Sequence, residues 1–196
     1  SAASDVYKRQ VRWHIIKMSK IKNALGHFIT ITNHKLLVMK SCFKVGLYKQ
    51  GLLHDLSKYN PVEFSAGIKY YNGSISPNGI QKKQEGLSEA WLHHKGRNKH
   101  HFEYWIDYGI KESEGLKGMN MPTKYVVEMF IDRMSASKNY LKEKYTQRSA
   151  LEYYEARKDY YILHPESREL LEFLLNKLCD EGEENTLKYI KNNILK

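Results

Sequence analysis

Apolar residues recur along most of this chain at intervals of three and four, the spacing of one helical face. Between Ser19 and Ile31, the residues Ile21, Leu25, Phe28, Ile29 and Ile31 share roughly one side of a helix. Asn33 suits the N-cap of a second helix, His34 to Val45, with the period carried by Leu36, Leu37, Met39, Cys42, Phe43 and Val45 and with Gly46 as C-cap. A third helix is expected from about Leu47 to Tyr59. Asn60-Pro61 stops it, and Pro61 suits the first turn of a fourth through Tyr71. Residues 72–86 are rich in Gly, Ser, Asn and Gln and read as a surface loop with room for one helical turn. A short helix follows from Ser88 to about Lys95, then an irregular stretch from Gly96 to Met121. Pro122 opens a strong helix to about Lys144 on the stripe Tyr125, Val126, Met129, Phe130, Met134 and Leu141. Helices over 149–162, 166–180 and 184–194 complete the chain, separated by Pro165 and Gly182. Strand signals are sparse, the best being Phe102–Tyr108, so the predicted class is all-α.

No internal repeat or long linker divides the chain, and 196 residues suit one domain. Its expected core spans residues 18–145, with helices in 149–196 covering the bundle or forming a homodimer contact. Residues 1–17 show no helical period and no signal-peptide pattern. The stretch DVYKRQ, residues 5–10, matches one reading frame of a common sequencing-library transposon end. The expectation is a metagenomic reading frame in which residues 1–17 are non-native read-through and Met18 is the start. Removing them takes away Lys8, Arg9, Arg12, Lys17 and Asp5, so the formal charge of +10 falls to +7.

That charge hints at anionic partners, but Lys and Arg are spread along nearly every helix. A nucleic-acid binder needs them concentrated on one face, so nucleic acid is not the expected partner. No apolar run approaches the ~20 residues of a membrane span. Two cysteines, Cys42 and Cys179, make no disulfide framework and fit a reduced, cytoplasmic setting.

The chemistry is expected at histidine. The chain has nine, and His93, His94, His100 and His101 crowd into HHKGRNKHH. Imidazole and carboxylate together bind Zn, Fe, Mn, Co or Mg. In GLLHDLSKY the apolar Leu52, Leu53 and Leu56 predict burial of His54-Asp55, and a buried Asp is costly unless paired or metal-bound. Asp132 sits likewise among Met129, Phe130, Ile131 and Met134. Taken alone, Asp132 reads as a salt-bridge partner of Arg133 or a lysine, and a solvated loop could carry the four clustered histidines. His14 and His164 stand apart, and His27 reads as structural.

In order, His34, His54-Asp55, the histidine cluster and Asp132 resemble the HD superfamily of metal-dependent phosphohydrolases. LLHDLSK (52–58) looks like that family's doublet segment and MFIDRMSAS (129–137) like its final Asp helix. The runs LVMKSCFKVGLYKQGLLHDLSKYNPVEF and HHKGRNKHHFEYW further resemble an uncharacterised bacterial and phage family. The resemblance implies an HD-like helical bundle whose first divalent metal is held by His34, His54, Asp55 and Asp132. Asp55 would bridge to a second ion held by one of His93 and His94, with His93 favoured, and one of His100 and His101, with His101 favoured. Lys58 would contact a phosphate or the activated water, and Arg97 and Arg133 are candidate phosphate clamps. The implied substrate is a phosphomonoester or nucleotide, with Tyr59, Tyr70, Tyr71, Trp91, Tyr104 and Trp105 as candidate stacking surfaces. An HD-type di-iron oxygenase and a non-catalytic nucleic-acid-binding or regulatory helical protein are the alternatives.

Overall fold

A computed structural model describes the backbone of residues 2–196 and the side chains of residues 18–196. The expectation about residues 1–17, and His14 with it, concerns side chains outside that range. The fold is mostly α, with eight α-helices and a two-stranded antiparallel ribbon among the described residues. No described helix is long and apolar enough to cross a membrane.

Helix α1 (Ala2–Lys44) runs through the boundary expected at Asn33. No proline interrupts it, and its core face is continuous, with His27, Ile31, His34, Val38 and Cys42 all buried. Capping at Asn33 would have given up backbone bonds in the middle of that face. The stripe Ile21, Leu25, Phe28 and Ile29, expected to point inward, lies exposed on the other side of the helix. Gly46 ends the segment with φ of 86°, a left-handed conformation that suits glycine.

The third expected helix is cut in two. Helix α2 (Tyr48–Leu53) stops at His54, Asp55 adopts φ 55° and ψ 22°, and a 3-10 turn follows over Leu56–Tyr59. The flanking Leu52, Leu53 and Leu56 are about half exposed, contrary to the expected buried run. Only the doublet between them turns inward. Helix α3 (Pro61–Tyr70) begins as expected, with the Asn60 side chain accepting from Val62 N–H and Pro61 in the first turn. Residues 72–86, expected as loop, contain helix α4 (Pro77–Glu85). Pro77 at its first position and left-handed Gly86 after its end punctuate a full helix, a signal outweighed by polar composition. Helix α5 (Glu89–Lys95) is capped by Ser88, which accepts from Trp91 N–H.

Strands β1 (Ile106–Tyr108) and β2 (Leu116–Gly118) pair with Asp107 opposite Lys117. Helix α6 (Thr123–Leu141) buries Val126, Val127, Met129, Phe130, Ile131 and Met134. Helix α7 (Ser149–Glu155) is shorter than expected. Helix α8 (Pro165–Tyr189) carries a break at Gly182, with φ 77° and ψ 170°, where the sequence places a separator. Leu151 and Tyr154 of α7 and Leu171, Leu174, Leu175 and Leu178 of α8 share one core with α6 and the C-terminal half of α1. Fully burying each such side chain stabilises by about 1.5–3 kcal/mol. This core fixes α6 against α1, and so fixes Asp132 opposite His34.

Helix α3 approaches α1 closely at Gly67. A Cβ there would lie 2.0 Å from His27 Nε2. His27 packs against Phe64 and Tyr71, and burial, aided by the charge of Lys58, lowers its pKa to about 4, so it is a neutral packing residue at pH 7. Gly67→Ala is therefore expected to destabilise the fold by about 1–3 kcal/mol through overpacking. Urea unfolding measures this, and an unchanged midpoint would refute the close approach.

Candidate metal centre

The break at His54-Asp55 builds the centre. On an unbroken helix, neighbouring side chains diverge by about 100°. The left-handed backbone at Asp55 (φ 55°) removes that divergence and directs both side chains at α1 and α6. Aspartate tolerates this conformation better than most residues, and strained φ values concentrate at functional sites. The following 3-10 turn returns Lys58, whose Nζ lies 2.6 Å from Asp55 Oδ2.

Asp55 is shared by two ligand groups. In the first, His34 Nε2 lies 2.9 Å from Asp132 Oδ1 and 3.5 Å from Asp55 Oδ2. His54 Nε2 lies 3.4 Å from both Asp55 Oδ2 and Asp132 Oδ1, and 3.4 Å from His34 Nε2. In the second, His94 Nε2 and His100 Nε2 each lie 3.4 Å from Asp55 Oδ1, and His101 Nε2 lies 2.8 Å from His94 Nε2. Donors about 2.0–2.2 Å from one ion stand roughly 3–3.5 Å apart, the spacing seen in both groups. Asp55 thus offers one oxygen to each group, and both groups meet the geometry of a metal site. Asp55 Oδ1 and His100 Nε2 are buried without a hydrogen-bond partner. Orphaned donor atoms facing a shared space are costly in an apo site and are satisfied by a cation. The residues therefore fit a divalent metal.

Two glutamates orient the rings. His54 Nδ1–H donates to Glu128 Oε1 at 2.9 Å, and His100 Nδ1 stands 3.2 Å from the same oxygen. His94 Nδ1–H donates to Glu63 Oε2 at 2.8 Å. Holding the proton on Nδ1 leaves the Nε2 lone pair for a metal, as outer carboxylates do at metal sites. Glu128 also groups with His54 and His100 as a third set of potential ligands through their Nδ1 atoms. Its hydrogen bonds to the far side of both rings identify it as their orienting partner instead.

Burial opposes charge throughout this cluster, yet the mutual pairing prevails. Burial disfavours the Asp55 carboxylate, but His54, Lys58 and His94 hold its pKa well below the usual range. Asp132 is held low against burial by its hydrogen bonds to His34 and His54. Burial disfavours imidazolium at His100, but Asp55 and Glu128 push its pKa up to about 10. His54 rises for the same reason, against burial and chiefly through Asp55. His101 shifts the other way, through burial and the neighbouring His100 and His94. At pH 7 without metal, His100 therefore carries a proton that a metal must displace. Metal uptake is expected to release protons, and apparent affinity to rise with pH towards about 10. Calorimetric titration in buffers of different ionisation enthalpy measures this, and buffer-independent heats would contradict it.

The structure thus brings together His34, His54, Asp55, His94, His101 and Asp132 from the expected set. His93, the favoured member of its pair, lies outside both groups. Its Nδ1–H donates to Glu63 Oε1 at 2.6 Å, so it clamps the glutamate that orients His94. Helix α5 turns the second histidine, not the first, towards Asp55. The choice between His100 and His101 dissolves, because the irregular segment after α5 places both in the group. The candidate phosphate clamps also lie elsewhere. Arg97 is exposed and donates to the His93 carbonyl at 3.2 Å. Arg133 follows Asp132 but is rotated about 100° from it, and stacks near Tyr161 with its guanidinium 5.1 Å from the ring centre. Of the aromatic residues, Trp91 walls the second group, 4.9 Å from the His101 ring. His164 caps α8, accepting from Glu166 N–H at 3.3 Å.

Sequence reasoning missed Glu63 and Glu128. The signal for Glu128 was present: it is four residues before Asp132 on one face of an otherwise apolar segment, VVEMFID. Glu63 gave no such signal, since an acidic residue in a first turn serves the helix dipole.

This is a mostly helical protein whose buried histidines and carboxylates form a candidate metal centre. The chain belongs to the family described as "Family of unknown function (DUF5662)", whose profile matches residues 23–177. No curated protein and no solved structure matches it.

Proposed function

We propose that this chain is a metal-dependent phosphohydrolase acting on a phosphomonoester or nucleotide, with one or two divalent ions at Asp55. The observation that carries this reading is the shared carboxylate with a lysine on its open edge. Asp55 offers one oxygen to each ligand group, while Lys58 pairs with it and stays a quarter exposed, at 27%. The resemblance of LLHDLSK and MFIDRMSAS to the HD superfamily supports the same assignment. So does the donor set: imidazole with carboxylate suits Fe, Zn, Mn or Co better than Ca or Mg.

When bound, a divalent ion polarises a phosphoryl oxygen and lowers the pKa of coordinated water towards 7. The chain supplies the rest. His34, His54, Asp55 and Asp132 would hold one ion, and Asp55, His94, His100 and His101 the other. Glu128 and Glu63 fix the rings that face them. Lys58 is kept protonated by Asp55 and Asp132 despite burial, so its ammonium is available to neutralise charge developing on the phosphoryl group. Asp132, at 17% exposure, and Lys58 mark the side of the centre open to a substrate.

A screen of phosphomonoesters and nucleotides with protein purified without chelator tests this. Lys58→Ala is expected to lower kcat by about 10²-fold, the scale of losing one electrostatic donor, with metal content unchanged. Full activity in Lys58→Ala, or no hydrolysis of any phosphomonoester or nucleotide, would count against the reading. The nitrogen-rich donor set favours one second reading, an iron-dependent oxygenase. Bound iron with substrate-dependent oxygen uptake and no phosphate release would establish that instead.

A further inference from the structure

A cavity lies between α1, α6 and α8, away from the histidines. It encloses about 170 Å³ and is lined by Leu37, Lys40, Ser41, Lys44, Ser135, Lys138 and Glu183. Ser135 is 1% exposed, and its hydroxyl has no hydrogen-bond partner among the described residues. Buried polar groups are nearly always satisfied, and each exception calls for an explanation. Ser137 and Thr186 show the ordinary alternative, each bonding the carbonyl four residues earlier. Ser135 does not. It lines the cavity together with Lys40, Lys44 and Lys138. Lys138 is held by an ion pair with Glu183, placed just after the Gly182 break. Lys40 and Lys44 make no ion pair among the described residues. With Glu183 counted, the lining carries an excess of positive charge, and it includes the unpartnered Ser135.

We propose that this cavity binds a phosphate or phosphoryl group, with Ser135 donating to an oxygen and Lys40, Lys44 and Lys138 balancing the charge. The cavity volume exceeds that of several waters, each about 30 Å³, and so admits a phosphoryl group. The rest of a larger ligand would pass outward between the exposed Lys40 and Lys44. The site shares helices with the metal centre: Leu37 follows His34 by three residues, and Ser135 follows Asp132 by three. It does not depend on the metal assignment.

Phosphate binding to the full chain, followed by calorimetry and by thermal shift, tests the site. Four proteins are compared: wild type, Ser135→Ala, the double variant Lys40→Gln/Lys44→Gln, and Asp132→Asn as the control at the metal centre. Ser135→Ala is expected to weaken inorganic phosphate binding about tenfold, the scale of one hydrogen bond to a charged group. It should leave the phosphate-free Tm unchanged or raised, because it removes an unsatisfied hydroxyl. The double variant should weaken binding by tenfold or more, while Asp132→Asn should retain it. Glycerol 3-phosphate in place of phosphate separates the sources: tighter binding assigns the site to a phosphorylated metabolite, equal binding to the free anion. No phosphate binding, binding unaffected by Ser135→Ala, or binding lost in Asp132→Asn would overturn the proposal. The last outcome would move the anion to the metal centre.

Discussion

Asp55→Asn is expected to empty both halves of the metal centre at once. Asp55 is the only residue common to the two main ligand groups, with Oδ2 near His34 and His54 and Oδ1 near His94 and His100. Asparagine keeps the shape and tolerates the left-handed backbone at this position (φ 55°). What it loses is the negative charge that holds two cations together, and one amide position cannot coordinate a cation through nitrogen. Bound metal should fall from one or two ions per chain to well below one, and hydrolysis should fall by about 10³-fold or more. Lys58 loses its ion pair in the same variant, so circular dichroism should accompany the assay. A folded protein without metal supports the assignment. A folded protein with its full metal content would show that Asp55 is only a salt-bridge partner of Lys58.

Glu128→Gln is the second large expected effect, and it acts without touching a metal. Glu128 Oε1 faces Nδ1 of both His54 and His100, one ring from each group. Its carboxylate is held low, against burial, by those two rings. As a carboxylate it accepts from both, which fixes both Nε2 atoms as ligands. Glutamine keeps one acceptor oxygen but presents an amide N–H to whichever ring meets its other end. Metal affinity should drop about 10–100-fold, the range for removing such an outer partner. The stronger Glu128→Leu should exceed it, while Glu63→Gln should weaken only the group containing His94. Competition with a fluorescent chelator reads all three. Equal affinity in wild type and Glu128→Gln would mean that the rings are held by packing alone.

Much of this was legible in the sequence, and the failures have physical causes. The inward stripe of α6 was readable because Val126, Met129, Phe130 and Met134 repeat at helical spacing around Asp132, and the core that α6 builds is the one observed. His34, His54, Asp55 and Asp132 could be gathered only because their order resembles the HD superfamily; hydrophobic context alone would have left Asp132 as a salt-bridge partner. Helix α1 defeated the same reasoning. It has apolar residues on two faces, and the conspicuous stripe at Ile21, Leu25 and Phe28 is the exposed one. Its core face carries His27 and His34, which hydrophobicity does not register. The doublet was misread as helical because no proline or glycine marks the break at His54; the chain turns there through a left-handed aspartate. The order of His93 and His94 was undecidable without the rotation of α5, which is set by the cap at Ser88 and by Glu63 on another helix.

The buried histidines and carboxylates around Asp55 are expected to hold transition metal. Elemental analysis of the full chain purified without chelator, beside His54→Ala and Asp132→Ala, tests it most directly. One or two equivalents of Fe, Mn, Zn or Co are expected in the wild type, with a clear loss in both folded variants. A wild-type protein that takes up no transition metal under any loading condition, or variants that lose stability but not metal, would contradict it.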